Sequence, residues 1–141
     1  MRGELFVILA VLLSVLTICS VIIMAQGKVS ITENAVLGDE ELMKGLRALN
    51  PEFGDYCIRV SGEAWGKPLI DQKTKTLIAI VVDIVEQIHG LPFENHVKMA
   101  VKQGVTREEL EELLFFMTVY AGFNKAGGYY GPLKGLFDQT E

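Results

Sequence analysis

The sequence predicts an all-α domain preceded by one N-terminal hydrophobic helix, and three observations predict it. From position 39 onward apolar residues recur at helical spacing, as in Leu42, Leu46 and Leu49, or Leu110, Leu113, Leu114 and Met117. Helix-start chemistry punctuates the chain at Asn50-Pro51 and at Thr106-Arg107-Glu108-Glu109. No alternating run long enough for a strand appears.

The hydrophobic element comes first. Residues 5–25 carry no charge, with Arg2 and Glu4 before them and Lys28 after. A helix of that length spans ~30 Å, about one hydrocarbon core. An uncleaved signal anchor fits the length. A cleaved signal peptide would cut after Ala25, with the bulky Ile23 at the −3 place. Leu16-Thr17-Ile18-Cys19 faintly resembles a lipoprotein box. Residues 1–26 are therefore read as signal peptide or membrane anchor, 27–38 as linker and 39–141 as the helical domain. The expected location is exported: membrane-anchored, periplasmic or secreted.

Composition narrows the function. A net charge of −5 with no basic stripe argues against a nucleic-acid partner. Two cysteines, Cys19 and Cys57, are too few for a disulfide framework. His89 and His96 are the only histidines and no spaced Cys or His set accompanies them, so no metal site is expected.

The domain reads helix by helix. Asp39 caps a first helix with Leu42, Leu46 and Leu49 on one face, and Asn50-Pro51 ends it and starts the next. The second helix carries Phe53, Tyr56, Cys57 and Val60 on a stripe; Gly62 is expected to end it, leaving 62–71 as a loop. A third helix over 74–89 is apolar on one face through Leu77, Ile80, Val81, Ile84 and Ile88, and on much of the other through Ile78, Val82 and Val85. A helix so apolar needs cover nearly all round. In a domain of roughly 110 residues a second subunit is the natural source. A short helix over 94–103 turns Val97, Ala100 and Val101 inward and closes at Gly104. The Thr106–Glu109 capping box opens the next helix, on which Phe115, Phe116 and Val119 lie off the inward stripe. The glycine-rich stretch 124–137, interrupted by Pro132, predicts a short or kinked helix.

Three stretches together carry a family resemblance: Gly62-Glu63-Ala64-Trp65-Gly66-Lys67-Pro68-Leu69-Ile70-Asp71 with Lys73-Thr74-Lys75-Thr76-Leu77; His96 with Lys98-Met99-Ala100 and Gly104-Val105-Thr106-Arg107-Glu108-Glu109; and Val119-Tyr120-Ala121-Gly122-Phe123. In order and separation they resemble the carboxymuconolactone decarboxylase-like family, over about residues 50–137. The resemblance implies a helical fold assembling into homo-trimers or hexamers, and a cofactor-free carboxy-lyase acting on a small anionic lactone or keto acid. The alkylhydroperoxidase-like branch of that family uses a Cys-x-x-Cys pair before the helix histidine. Here His89 and Pro92 stand at those places, so the sequence sides with the decarboxylase branch.

Such a decarboxylase must hold an anion, let electrons pass from the leaving carboxylate into a conjugated carbonyl, and protonate carbon. Cations and oriented donors stabilise the charge that develops, and a positioned acid delivers the proton. His96 is the first candidate for that acid, or for a donor to the enolate. Glu63 is the second, on the expectation that Trp65 shields its carboxylate from water. Lys67, Lys73 and Lys75 are candidates to bind substrate carboxylates and Tyr120 to offer its hydroxyl, while Trp65 reads as core or subunit contact, with a substrate platform as its alternative. Asp83 is expected on an exposed strip with Thr76 and Gln87, and becomes an acid candidate if assembly buries it. Cys57 reads as a buried inert thiol. Its alternative is a peroxidatic role, which would make the protein a peroxiredoxin- or alkylhydroperoxidase-like antioxidant. The remaining alternative is a non-catalytic exported binding module.

Overall fold

The structure, a computed structural model, describes residues 33–138. The hydrophobic segment and its expected role lie outside the described residues. Seven helices follow one another, and no strand occurs among the described residues.

Helices α1 (Glu40–Leu49) and α2 (Pro51–Trp65) form an antiparallel hairpin. Asp39 caps α1 by accepting from the Leu42 amide at 3.1 Å, and Asn50 caps α2 by accepting from Phe53 at 3.0 Å. Gly54 makes the close crossing possible: a Cβ there would sit 2.6 Å from the backbone of Arg47. The Arg47–Asp55 ion pair at 2.7 Å spans the same junction on the exposed side, where such a pair adds little.

Gly62 does not end α2; the helix runs one turn further, to Trp65. The glycine answers a packing need, because a Cβ on it would meet the Leu37 side chain at 2.7 Å. The residues just before α1, expected as linker, fold onto this surface. Asn34 donates to the Gly62 carbonyl at 2.8 Å, and the Ala35 amide donates to Gln72 Oε1 at 2.8 Å. Ala35 and Val36 are buried with Met99, and Trp65 packs against them.

Helix α3 (Gln72–Glu86) starts at Asp71, which accepts from the Thr74 amide and hydroxyl at 2.8 and 2.7 Å. It ends three residues before the expected boundary, because Gln87 turns left-handed at φ 56° and the Ile88 amide closes back on the Asp83 carbonyl at 2.9 Å. Helix α4 (Leu91–Lys102) begins three residues earlier than expected. Pro92 falls in its first turn, where no backbone donor is needed. Gly104 at φ 83° closes it, with the Val105 amide reaching the Ala100 carbonyl at 2.9 Å. Phe93, Val97 and Ala100 point inward, whereas Val101 is 43% exposed and not part of the core.

Helix α5 (Arg107–Tyr120) opens with the expected reciprocal cap: Thr106 N–H donates to Glu109 Oε2 at 2.9 Å and Glu109 N–H to Thr106 Oγ1 at 3.2 Å. Lys73 donates to the other Glu109 oxygen at 2.7 Å and ties α3 to α5. That bond, first, and the Thr106 amide hold the Glu109 carboxyl below its ordinary range. The glycine-rich tail forms two short helices, α6 (Phe123–Gly127) and α7 (Tyr130–Asp138), with Pro132 in the first turn of α7. Tyr129, between them, is fully buried.

The core joins Ile80 and Ile84 of α3, Phe93 and Val97 of α4, Leu110, Leu114 and Met117 of α5, and Tyr129 and Leu133 from the tail. Helix α1 contributes no buried residue. The hairpin therefore lies beside the core, not within it. Among the described residues nothing covers two apolar faces: Ile78, Val82 and Val85 on α3, and Phe115, Phe116 and Val119 on α5.

Candidate active site

A cavity of about 300 Å³ separates the α1–α2 hairpin from α4. Helical periodicity aims its walls. Leu42, Leu46 and Leu49 form one stripe of α1. On α2 the stripe is Phe53, Cys57, Ser61 and Trp65, four residues apart. Tyr56 and Val60, expected on that stripe, face outward with 57% and 43% of their surface exposed. Helix α4 supplies Leu91, Pro92, Asn95, His96 and Met99.

Among the described residues that line the cavity, His96 and the Cys57 thiol are the ionisable side chains. Its Nδ1 lies 2.7 Å from Asp83 Oδ2 and donates to it. Asp83 is 1% exposed and Thr76 fully buried, which corrects the expected exposed strip: this side of α3 is covered by α4 and the tail within one protomer. A buried carboxylate needs a partner, and the imidazole is that partner. The pair fixes the ring, leaving Nε2 as the nitrogen available to a ligand.

The main chain around Asp83 is held as well. Tyr129 Oη contacts the Asp83 carbonyl at 2.6 Å and the Ile88 carbonyl at 2.9 Å, donating to that pair. Burial, then the nearby Asp83 charge, pushes the Tyr129 phenol above its ordinary range. His89, at the place of one thiol of the dithiol branch, stacks on the Tyr129 ring with centroids 4.6 Å apart. It serves the packing of the α3–α4 turn.

Of the residues singled out from sequence, the structure brings His96, Trp65 and Cys57 to the cavity and leaves Glu63, Lys67, Lys73, Lys75 and Tyr120 outside it. Glu63 is exposed, two residues from Ser61 and so on the opposite side of α2. Lys75 donates to the carbonyls of Trp65 and Lys67, both at 2.5 Å, and so caps the end of α2. Lys73 is engaged by Glu109, and Lys67 is exposed beyond the end of α2. Tyr120 is 71% exposed on α5, its ring 4.9 Å from Phe116. The residue missed as a ready-made site member is Asp83. Its signal was present: a lone carboxylate amid Val81, Val82, Ile84 and Val85, just ahead of the turn that leads to the helix bearing His96. Cys57, expected buried, is partly exposed and shares the cavity with His96. Among the described residues no group of three or more His, Cys, Asp or Glu is gathered closely enough to hold a metal ion.

A family model, that of the carboxymuconolactone decarboxylase family, matches residues 51–128, more than half of the chain. The chain belongs to the carboxymuconolactone decarboxylase family. The match runs from α2 to the α6–α7 junction and includes Asp83 and His96. A 4-carboxymuconolactone decarboxylase of Acinetobacter baylyi is 30% identical over 91 residues, covering 62% of this chain and 67% of that protein. No solved structure matches. Family membership and this relative support a decarboxylase-like function.

Proposed function

We propose that the protein is a cofactor-free carboxy-lyase that decarboxylates a small anionic lactone or keto acid at the His96 cavity. The observation that carries the reading is a histidine on the cavity wall, oriented through Nδ1 by a buried carboxylate. In the proposed reaction the bond between the substrate carbon and its carboxylate breaks and carbon dioxide leaves. The electron pair enters the conjugated carbonyl as an enolate. His96 then gives the Nε2 proton to carbon, while Asp83 keeps the ring aimed and offsets its positive charge. Glu63, pointing away from the cavity, has no part in this scheme within one protomer. The same reading includes self-association through the apolar faces of α3 and α5, and delivery to or across a membrane by residues 1–26.

The test is carbon dioxide release by the full chain from γ-carboxymuconolactone and from simple β-keto acids. His96→Asn retains a donor near the Nδ1 position, so Asp83 stays paired, but removes the Nε2 proton. It is expected to lower turnover about 10²-fold or more. Asp83→Asn, which can still accept from Nδ1 but no longer offsets the imidazolium charge, is expected to lower turnover to a similar degree. Turnover unchanged in both variants would end the proposal.

One observation favours a second reading, a thiol peroxidase: Cys57 lines the same cavity. Peroxide consumption by the parent and by Cys57→Ser decides it, since equal rates remove the thiol from consideration.

A further inference from the structure

One end of the domain carries apolar side chains that the helix packing does not use. The loop from α2 to α3 reads Gly66-Lys67-Pro68-Leu69-Ile70-Asp71. Leu69 is 97% exposed and Ile70 48%. The base of the loop is tied down. Gln72 donates to the Trp65 carbonyl at 2.8 Å, Lys75 bridges the Trp65 and Lys67 carbonyls, and Asp71 is held by Thr74. Leu37, half exposed, adds a third apolar side chain at the same end, because it lies against Gly62 in the last turns of α2. Apolar side chains gathered on a tied loop are an unfavourable face to show to water.

We propose that this end of the domain rests on a lipid surface, with Leu69 and Ile70 dipping among the acyl chains. The proposal rests on the reading of residues 1–26 as a membrane anchor and adds a second, separate contact to it. Chain length selects the occupant. The chain enters the fold at this same end: Asn34 donates to the Gly62 carbonyl and the Ala35 amide to Gln72 Oε1, both at 2.8 Å. The uncharged run ends at Ala25, and residues 26–32 reach at most about 25 Å when fully extended. An anchor ending there keeps the loop close to the headgroups, and a tethered contact needs little affinity of its own. Moving an exposed leucine and a half-exposed isoleucine into hydrocarbon is favourable. Around the loop the exposed charges are Glu33, Glu63, Lys67 and Asp71, which form no basic patch, so the contact does not depend on anionic lipid. Val36 and Trp65 belong to this end and line the cavity, so docking sets that end of the cavity beside the bilayer.

The test uses the full chain reconstituted into phosphatidylcholine vesicles, made with and without brominated acyl chains, which quench a tryptophan that enters the hydrocarbon. Trp65, the single tryptophan of the parent, lines the cavity and supplies the background emission. Leu69→Trp sets a reporter at the loop. Glu86→Trp sets one at the other end of α3, about 21 Å along the helix. Brominated lipid is expected to lower the emission added by Leu69→Trp about twofold or more and to spare that of Glu86→Trp. Ile70→Asp, combined with Leu69→Trp, should restore most of the lost emission, and adding phosphatidylserine should not deepen the quenching. Flotation of the same samples with the vesicles reads the anchor. Protein that does not float overturns the anchor reading and the docking with it. Protein that floats with Leu69→Trp unquenched, or with both positions quenched alike, overturns the docking and leaves the anchor standing. Emission from Leu69→Trp that is blue-shifted yet unquenched also overturns it, and gives the loop to a second copy of the chain.

Discussion

At the scale of the residue, Asp83 is the pivot. Its side chain orients His96, while its main-chain carbonyl accepts from the Ile88 amide and from the Tyr129 hydroxyl. Tyr129→Phe would remove the hydroxyl proton that the Asp83 and Ile88 carbonyls share, the Asp83 carbonyl keeping the Ile88 amide, and is expected to cost about 1–2 kcal/mol at neutral pH, measured by urea denaturation. The phenol also carries a pH signature. Its pKa is raised in the folded state, so its contribution is complete below the ordinary value of 10.0 and is lost as pH rises through the folded value. The parent should therefore show one tyrosine whose ultraviolet titration lags and coincides with loss of helicity at alkaline pH. Tyr129→Phe should lack that phase, and a variant that keeps it would refute the assignment. None of this was visible from the glycine-rich tail, where only a break in the helix was expected. The partner of a buried tyrosine depends on how α6 and α7 return to the α3–α4 turn.

At the scale of the element, the two hairpins divide the labour. The α3–α4 hairpin carries the Asp83–His96 pair and is anchored in the core, whereas the α1–α2 hairpin walls the cavity and meets the rest through Val36, Trp65 and Met99. Its geometry depends on Gly54. Gly54→Ala places a methyl group within 2.6 Å of the Arg47 backbone, so the helices must separate. The expected loss is about 1–3 kcal/mol, read as a lower denaturation midpoint, together with weaker ligand quenching of Trp65. An unchanged midpoint and unchanged quenching would mean that the crossing relaxes freely. Helix starts were legible at this scale, because Asp39, Asn50 and Thr106 act through bonds to amides three residues away. Helix ends were less so. Gly62 was read as a stop, yet it serves a contact with Leu37, which no local pattern encodes.

At the scale of the whole molecule, the inward stripes of α3, α4 and α5 were legible because burial against one core imposes the helical period on the sequence. The cavity was only half legible. His96 and Trp65 were found, but lysines close in sequence to the site proved to be engaged in capping and surface ties, and charge in a sequence does not say where it points. The apolar faces of α3 and α5 bear on assembly. Under the proposal of self-association, Val82→Asp and Phe116→Asp should lower the mass measured by sedimentation while leaving helicity intact, since both residues are exposed in the single chain. A parent that sediments as a monomer, or variants that assemble like the parent, would exclude these faces as the contact.

The separation of the two hairpins has a consequence for descent. Under the proposed reaction, substitutions that alter ligand fit would fall mainly on residues 42–65, and those that alter proton transfer on 83–96. The first stretch opens with a helix that buries none of its residues, so Leu42, Leu46 and Leu49 can change with little penalty to folding, whereas Gly54, Ile58 and Gly62 of the second helix are buried. Diversification of ligand preference can thus proceed in one stretch of chain while the acid–base pair is inherited intact in the other.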